Sequence, residues 1–349
     1  MDKTTLLNRI LNENFVHVSK KDIREVIKYD LFSELVKKKN PKKKPLYLYK
    51  YRTNLQIKEV LIEMYEEINN KERKTFSPGI FMGFQGKMNS VILARYLFEE
   101  KLNWGLSTTV RNLNKDLLDK NNLRTVRNCF DHIYELVIAC YPDKELKPYY
   151  FKNARGIWHD KKGKINYELV HEAIREFITA LVDPKGKFGK YKHNMKKMPQ
   201  WISYQLFQKP VLPFDNNLSY MLNYVYKNSA VNAIIHSYPE LKLKPYYFRN
   251  APDKYWRGEA GKKHAIEAAK EFVDILTDPK GKYKWSMNEV FQYIKYTSYF
   301  KPILPFGAKL SGMLQVCFKN SPSAPIRMVS QIFGEKYKLD EKQIGKGLA

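Results

Sequence analysis

No stretch of this chain approaches the ~20 consecutive apolar residues that a membrane-spanning helix requires. The opening Met1-Asp2-Lys3-Thr4-Thr5-Leu6-Leu7 leads into polar sequence and lacks the apolar core of a secretory signal. Cys129, Cys140 and Cys317 are an odd set with no Cys-x-x-Cys pair. Each sits among apolar neighbours, which argues against a disulfide or zinc framework and predicts buried thiols in a reducing cytoplasm. Sustained period-2 strand patterns are missing. So are a Gly-x-x-x-x-Gly-Lys-Ser/Thr phosphate loop and a His-Glu-x-x-His pair. The 7 histidines do not recur with cysteine or carboxylate at ligand spacing, and only His171 and Glu172 stand side by side. These gaps point away from an enzyme and imply no cofactor and no metal.

Acid is the other shortage. Against 62 Lys and Arg there are 36 Asp and Glu, a net charge of +26, while hydrophobic residues make up 44% and aromatics 14%. That composition folds rather than staying disordered. So large an excess of one sign repels itself unless a polyanion shares the surface, and nucleic acid is the first candidate.

What the chain does have is a repeat. Tyr141-Pro142, then Lys147-Pro148-Tyr149-Tyr150-Phe151-Lys152-Asn153-Ala154, returns as Tyr238-Pro239, then Lys244-Pro245-Tyr246-Tyr247-Phe248-Arg249-Asn250-Ala251. Asp183-Pro184-Lys185-Gly186-Lys187 returns at Asp278-Pro279-Lys280-Gly281-Lys282, and Lys209-Pro210-Val211-Leu212-Pro213-Phe214 at Lys301-Pro302-Ile303-Leu304-Pro305-Phe306. Leu218-Ser219-Tyr220-Met221-Leu222 returns at Leu310-Ser311-Gly312-Met313-Leu314, and Lys227-Asn228-Ser229 at Lys319-Asn320-Ser321. Phrases kept in one order mark tandem modules. A fainter first copy precedes them, with Gly86-Lys87 where Gly163-Lys164 and Gly261-Lys262 stand in the others.

Helical spacing runs through each copy. Val170, Ala173, Ile174, Phe177, Ile178 and Leu181 share one helix face, as do Ala265, Ala268, Ala269, Phe272, Val273 and Leu276. A second helix follows on Leu218, Met221, Leu222, Val225 and Tyr226, repeated on Leu310, Met313, Leu314, Cys317 and Phe318, with Leu123, Val126, Phe130 and Ile133 as a looser equivalent. A third, near Ala230 to Ser237, must stop before Tyr238-Pro239. An extra helix is predicted from Pro199 to Phe207. The expected fold is therefore all-α: a tandem array of three helix–turn–helix-like modules at 76–151, 152–248 and 249–333. A basic helical element at 1–75 precedes them, and a short, polar, mobile tail at 334–349 follows.

Two features suit contact with a polyanion. The outward positions of the second helix vary among the copies while the apolar ones repeat. Arg124 and Asn128 stand there in the first copy, Asn217, Ser219, Tyr220 and Asn223 in the middle one, and Lys309, Ser311, Gly312 and Gln315 in the last. Such side chains can meet base edges or phosphates, and none is acidic, although any solvated helix face is polar and variable. The Asp-Pro-Lys-Gly-Lys segments carry Lys185, Lys187, Lys190, Lys280, Lys282 and Lys284 among Phe188, Tyr191, Tyr283 and Trp285, as phosphate-binding loops do. The run with Lys42, Lys43 and Lys44 reads as non-specific attraction or a solubilising linker. Lys-Pro-Tyr-Tyr-Phe reads as aromatic packing between helices or modules, and Asp183 and Asp278 as helix stops rather than metal ligands.

The phrase Leu310-Ser311-Gly312-Met313-Leu314, then Phe318-Lys319-Asn320-Ser321-Pro322, together with Tyr238-Pro239 and Lys244-Pro245-Tyr246, resembles the tandem helical repeats of uncharacterised Bacillus-type and phage proteins. Ala94 to Trp104 is similar to the opening helix of those repeats. More distantly, the rhythm resembles the DNA-binding repeats attached to homing endonucleases, without a His-Asn-His or Gly-Ile-Tyr nuclease motif beside it. The resemblance covers residues 86–333 and implies a reader of double-stranded DNA in a bacterial or phage cytoplasm, nucleoid-associated and not on a membrane. RNA is the second choice of partner. A nuclease-like or recombinase-like enzyme with an unrecognised site, and a protein-interaction scaffold, stay open as alternatives.

Overall fold

The computed structural model describes residues 54–339, apart from 77–78, 153–154, 161, 190–192 and 252–253. The described residues are helical and include no strand. None of their helices is long and apolar enough to cross a membrane. The chain divides into two compact units, one through Ile157 and one from Trp158.

In the first unit α1 (Asn54–Asn69) packs on α2 (Gly83–Arg95), which passes into a π-helical stretch, Tyr96–Lys101. Short helices follow: α3 (Leu106–Asn112), α4 (Lys115–Lys120), α5 (Arg124–Arg127) and α6 (Ile133–Cys140). Both α5 and α6 pack on α2, burying Leu93, Leu97, Leu123, Val126, Leu136 and Val137. The helix expected to run from Leu123 through Ile133 ends at Arg127, so Phe130 lies in the following turn and Ile133 opens α6.

The second unit contains α7 (Tyr167–Val182), α8 (Met198–Trp201), α9 (Tyr204–Phe207), α10 (Ser219–Tyr226) and α11 (Ala230–Ser237). Then come α12 (Gly258–Thr277), α13 (Met287–Tyr293), α14 (Ser311–Phe318) and α15 (Ala324–Phe333). All six apolar positions read on α7, and all six on α12, are buried. The helix predicted from Pro199 to Phe207 is two single turns, because Ile202 and Ser203 are extended. Pro325 sits in the first turn of α15, where its missing N–H costs nothing, so it starts that helix rather than interrupting it.

The middle and last copies share their geometry in detail. Phe177 stacks on Phe207 at 5.0 Å, and Phe272 on Tyr299 at 5.0 Å. Leu218 N–H donates to Phe207 O at 3.0 Å, and Leu310 N–H to Tyr299 O at 3.0 Å. Each second helix ends in two consecutive left-handed residues, Lys227-Asn228 (φ 50 and 65) and Lys319-Asn320 (φ 47 and 65). Asn228 N–H closes on Leu222 O at 3.0 Å and Asn320 N–H on Leu314 O at 3.1 Å, a seven-residue loop that satisfies carbonyls the helix leaves open. This explains why Lys-Asn recurs, since asparagine tolerates the left-handed region. In the middle copy Ser229 also caps α11 by accepting from Asn232 N–H, whereas Ser321 lies ahead of the start of α15. At Gly86 and Gly261 an added Cβ would lie 2.2 Å from the backbone of Phe81 and Trp256 respectively, so both first helices start against the preceding chain as only glycine permits.

Leu310 is 1% exposed beneath α14. Leu310→Ala should therefore cost about 2–5 kcal/mol in urea denaturation, whereas Gln315→Ala on the opposite face should leave the transition nearly unmoved. Equal effects would mean the helix is not anchored through this residue.

The Lys-Pro-Tyr-Tyr phrase of the middle copy clasps the first helix of the last. Tyr246 and Tyr247 hydroxyls each donate to the Glu271 carboxylate on α12 at 2.5 Å, and Lys244 Nζ reaches the same group at 2.7 Å. The tail expected to be mobile is docked at least as far as Tyr337, which is buried and donates to Asp274 at 2.6 Å, with Lys336 on the same carboxylate.

Candidate nucleic-acid interface

Both Asp-Pro-Lys-Gly segments are turns set by their aspartates. Asp183 and Asp278 end α7 and α12, and their Oδ1 atoms accept from Lys185 N–H and Lys280 N–H at 2.9 Å. Gly186 and Gly281 N–H close the turns on the aspartate carbonyls. The aspartates are thus turn-formers, and the turns leave Lys185, Lys187, Lys280, Lys282 and Lys284 exposed. Lys282 lies 5.5 Å over the Tyr283 ring and Lys187 5.6 Å over Phe188, so each ammonium rests against the ring that follows it. Lys190, and the cluster of Lys42, Lys43 and Lys44, fall outside the described residues.

In the middle copy this turn reaches the entrance to the second helix: Lys187 Nζ meets Asp215 at 3.1 Å, just before α10. Both side chains are more than half exposed, so the pair is weak and readily exchanged for a phosphate. The last copy has Gly307 in place of Asp215.

Of the outward helix positions, Arg124, Asn128, Asn223, Lys309 and Gln315 are exposed. Asn128 Oδ1 accepts from Arg127 Nη2 at 3.2 Å. Asn217 is half-buried, and its Oδ1 already accepts from the Ser219 N–H and hydroxyl at 3.1 and 2.7 Å. A paired contact from Asn217 to a base edge would have to break both bonds. Tyr220 and Tyr224 project from α10 and stack at 5.9 Å, with the Tyr224 hydroxyl 2.8 Å from His159 Nε2. Tyr224 and His159 do not stand out in the sequence as site residues. Their signal was an i, i+4 tyrosine pair on a helix whose buried face was already complete.

Acid is absent from the second and third helices of the middle and last copies. No Asp or Glu occurs in α10 or α11, and none in residues 290–334, which hold α14 and α15 along with Lys295, Lys301, Lys309, Lys319 and Arg327. The first helices by contrast carry Glu168, Glu172 and Glu176 on α7 and Glu259, Glu267, Glu271 and Asp274 on α12, and further acids lie on the connecting turns.

Among the described residues no group of three or more His, Cys, Asp or Glu could hold a metal ion. The three cysteines are free thiols. Cys140 is buried, and burial pushes its thiol up to about 12, far from a reactive thiolate at neutral pH.

Residues 61–146 match the model of a family described as a protein of unknown function (DUF4046). The match ends one residue before the first Lys-Pro-Tyr-Tyr-Phe phrase. No curated protein and no solved structure matches the chain.

Proposed function

We propose that this protein is a modular nucleic-acid-binding protein that takes double-stranded DNA, with lysine turns on phosphates and the acid-free second helix of each copy toward the bases. The observation that carries the reading is the segregation of charge. In a chain of net charge +26, α10, α11, α14 and α15 carry no acid, while the helical acids of the second unit fall mostly on the first helices. A polyanion laid along these helices meets cations and amides and no carboxylate of the helices themselves, which lowers its electrostatic cost. The pairing of Lys187 with the entrance to α10 supports a shared surface for phosphate and base contacts in the middle copy. Repetition of the unit suits a repeating polymer.

Titration of the full chain with duplex DNA, single-stranded DNA and RNA across a salt series tests this. Log K for duplex DNA should fall linearly with log salt at a slope near −0.9 per neutralised phosphate. No binding at low salt would overturn the proposal, and stronger binding of structured RNA would reassign the polymer. Base reading has its own test. Asn223 is exposed with no partner among the described residues, and its amide can make the paired contact that singles out adenine. Sites selected from a random duplex pool by Asn223→Ala should lose preference at one position, by about 1–3 kcal/mol per wrong base, with the salt slope intact. Selection of the same motif by both proteins would return Asn223 to the solvated surface.

A further inference from the structure

Among the differences between the two well-matched copies, one on the face of the second helix changes how much aromatic surface is covered. In the middle copy that place is filled: Tyr220 and Tyr224 stack together, and Tyr224 is tied to His159, while Trp158 beneath is 4% exposed. In the last copy Gly312 stands for Tyr220, Val316 for Tyr224 and Arg257 for His159. Trp256, the counterpart of Trp158, is only half-buried, and a cleft of 670 Å³ opens beside it. That volume lies in the range of small-ligand sites, about 300–1,000 Å³. The cleft is bordered by four cations, Arg249, Lys254, Arg257 and Lys309, none of which forms an ion pair among the described residues. Among the described residues no carboxylate lines it.

Its aromatic wall is rigid. Tyr255 is stacked flat on His264 at 4.1 Å and meets Trp256 edge-on at 4.9 Å. The indole N–H of Trp256 has no acceptor among the described residues, and a Cβ on Gly312 would lie 3.7 Å from that nitrogen. The site therefore offers a fixed aromatic surface, an unused N–H donor and a ring of free cations.

We propose that this cleft holds one unstacked nucleotide of a nucleic-acid strand, its base against Trp256 and its phosphates among Arg257, Lys254, Arg249 and Lys309. Only a ligand that is both planar and anionic uses all of these groups: the base takes the aromatic wall, and the phosphate takes the arginine forks. An acidic peptide would engage the cations and leave the indole idle. The proposal rests on the nucleic-acid reading and adds to it a division of labour, in which the middle copy presents a closed face and the last copy captures a nucleotide displaced from the stack.

The test uses the full chain with a DNA duplex carrying a single bulged 2-aminopurine, and the same duplex fully paired. Gly312→Tyr restores the residue the middle copy uses to fill this place. Gly312→Ala places a methyl group at ordinary contact distance from Trp256 and serves as the control. The expected result is a change in 2-aminopurine fluorescence on binding to the native chain. Gly312→Tyr should lose about 10-fold more affinity for the bulged duplex than for the paired one, in line with ~1–3 kcal/mol per stacked base, while Gly312→Ala keeps the native ratio of the two. Arg257→Ala with Lys309→Ala, at two exposed positions, should weaken the bulged probe more than the paired one. Equal affinity of native and Gly312→Tyr chains for the bulged probe would overturn the cleft assignment while duplex binding still stood. Failure of the native chain to bind either duplex would overturn the nucleic-acid reading and the cleft together. Competition by adenosine monophosphate or by a glutamate-rich peptide as strong as that of the bulged duplex would overturn the assignment to a strand.

Discussion

Replacing Lys185, Lys187, Lys280 and Lys282 together by alanine is expected to weaken duplex binding about 10³-fold near 0.1 M salt and to flatten the salt slope by about 3 to 4, if each ammonium neutralises one phosphate. All four lie on turns that the aspartates hold through their own backbone bonds, so the substitutions remove charge without removing the scaffold. Lys187 alone among them has a carboxylate partner, and that pair is a surface one. The loss should be the same for every duplex sequence, because phosphates carry no sequence information directly. Circular dichroism and the unfolding midpoint should match those of the native chain. An unchanged slope would place the phosphate contacts on other cations, such as those around α14 and α15.

The second large effect concerns the clasp between the middle and last copies. Glu271→Ala should lower stability at neutral pH by about 3 kcal/mol, since two buried tyrosine hydroxyls lose their acceptor at once. The effect should depend on pH. Burial alone would favour the neutral acid, but the hydrogen bonds from Lys244, Tyr246 and Tyr247 outweigh it and hold the Glu271 carboxyl below its ordinary value. A carboxyl depressed in the folded state contributes stability that is fully present above its unfolded value of about 4.3. That contribution is lost as pH falls through the folded value. The gap between native and variant chains should accordingly narrow below about pH 4. Burial, and then the bond to Glu271, push both phenols upward, so they remain donors throughout this range. Urea denaturation at neutral and acid pH measures the gap. A gap that does not change with pH would mean that packing, and not the carboxylate charge, secures the clasp.

The long first helices and the two well-formed second helices were legible because their apolar residues recur at helical spacing and their ends carry proline or the left-handed asparagine. The reading failed where local rules were overridden. The apolar positions from Leu123 to Ile133 keep a loose helical rhythm, but the chain turns after Arg127 and divides them between two helices. Pro199 to Phe207 had a good start signal and no means of showing that Ile202 and Ser203 extend. The tail looked mobile because its composition is polar, and the partner that fixes Tyr337, Asp274, lies far back in the chain. Asn217 illustrates the limit for the candidate site. A polar residue at the start of a helix reads the same whether it faces a ligand or caps the helix, and only the bonds to Ser219 separate the two. The cleft beside Trp256 was hidden for a related reason. Glycine at Tyr220's counterpart looks like ordinary surface variation until the half-buried indole is seen beneath it.

The clasp on Glu271 also means that the duplicated phrase and the body that packs are out of phase. A fragment cut at Arg249, where the sequence repeat begins again, would carry the carboxylate and leave both tyrosines behind. One begun ahead of Lys244 would keep its own lock and key. Lengthening or shortening such an array by recombination is therefore safe only at joints that move Lys244-Pro245-Tyr246-Tyr247 together with the helix that follows it. The frame in which this protein can be edited is set by that joint rather than by the start of its repeated words.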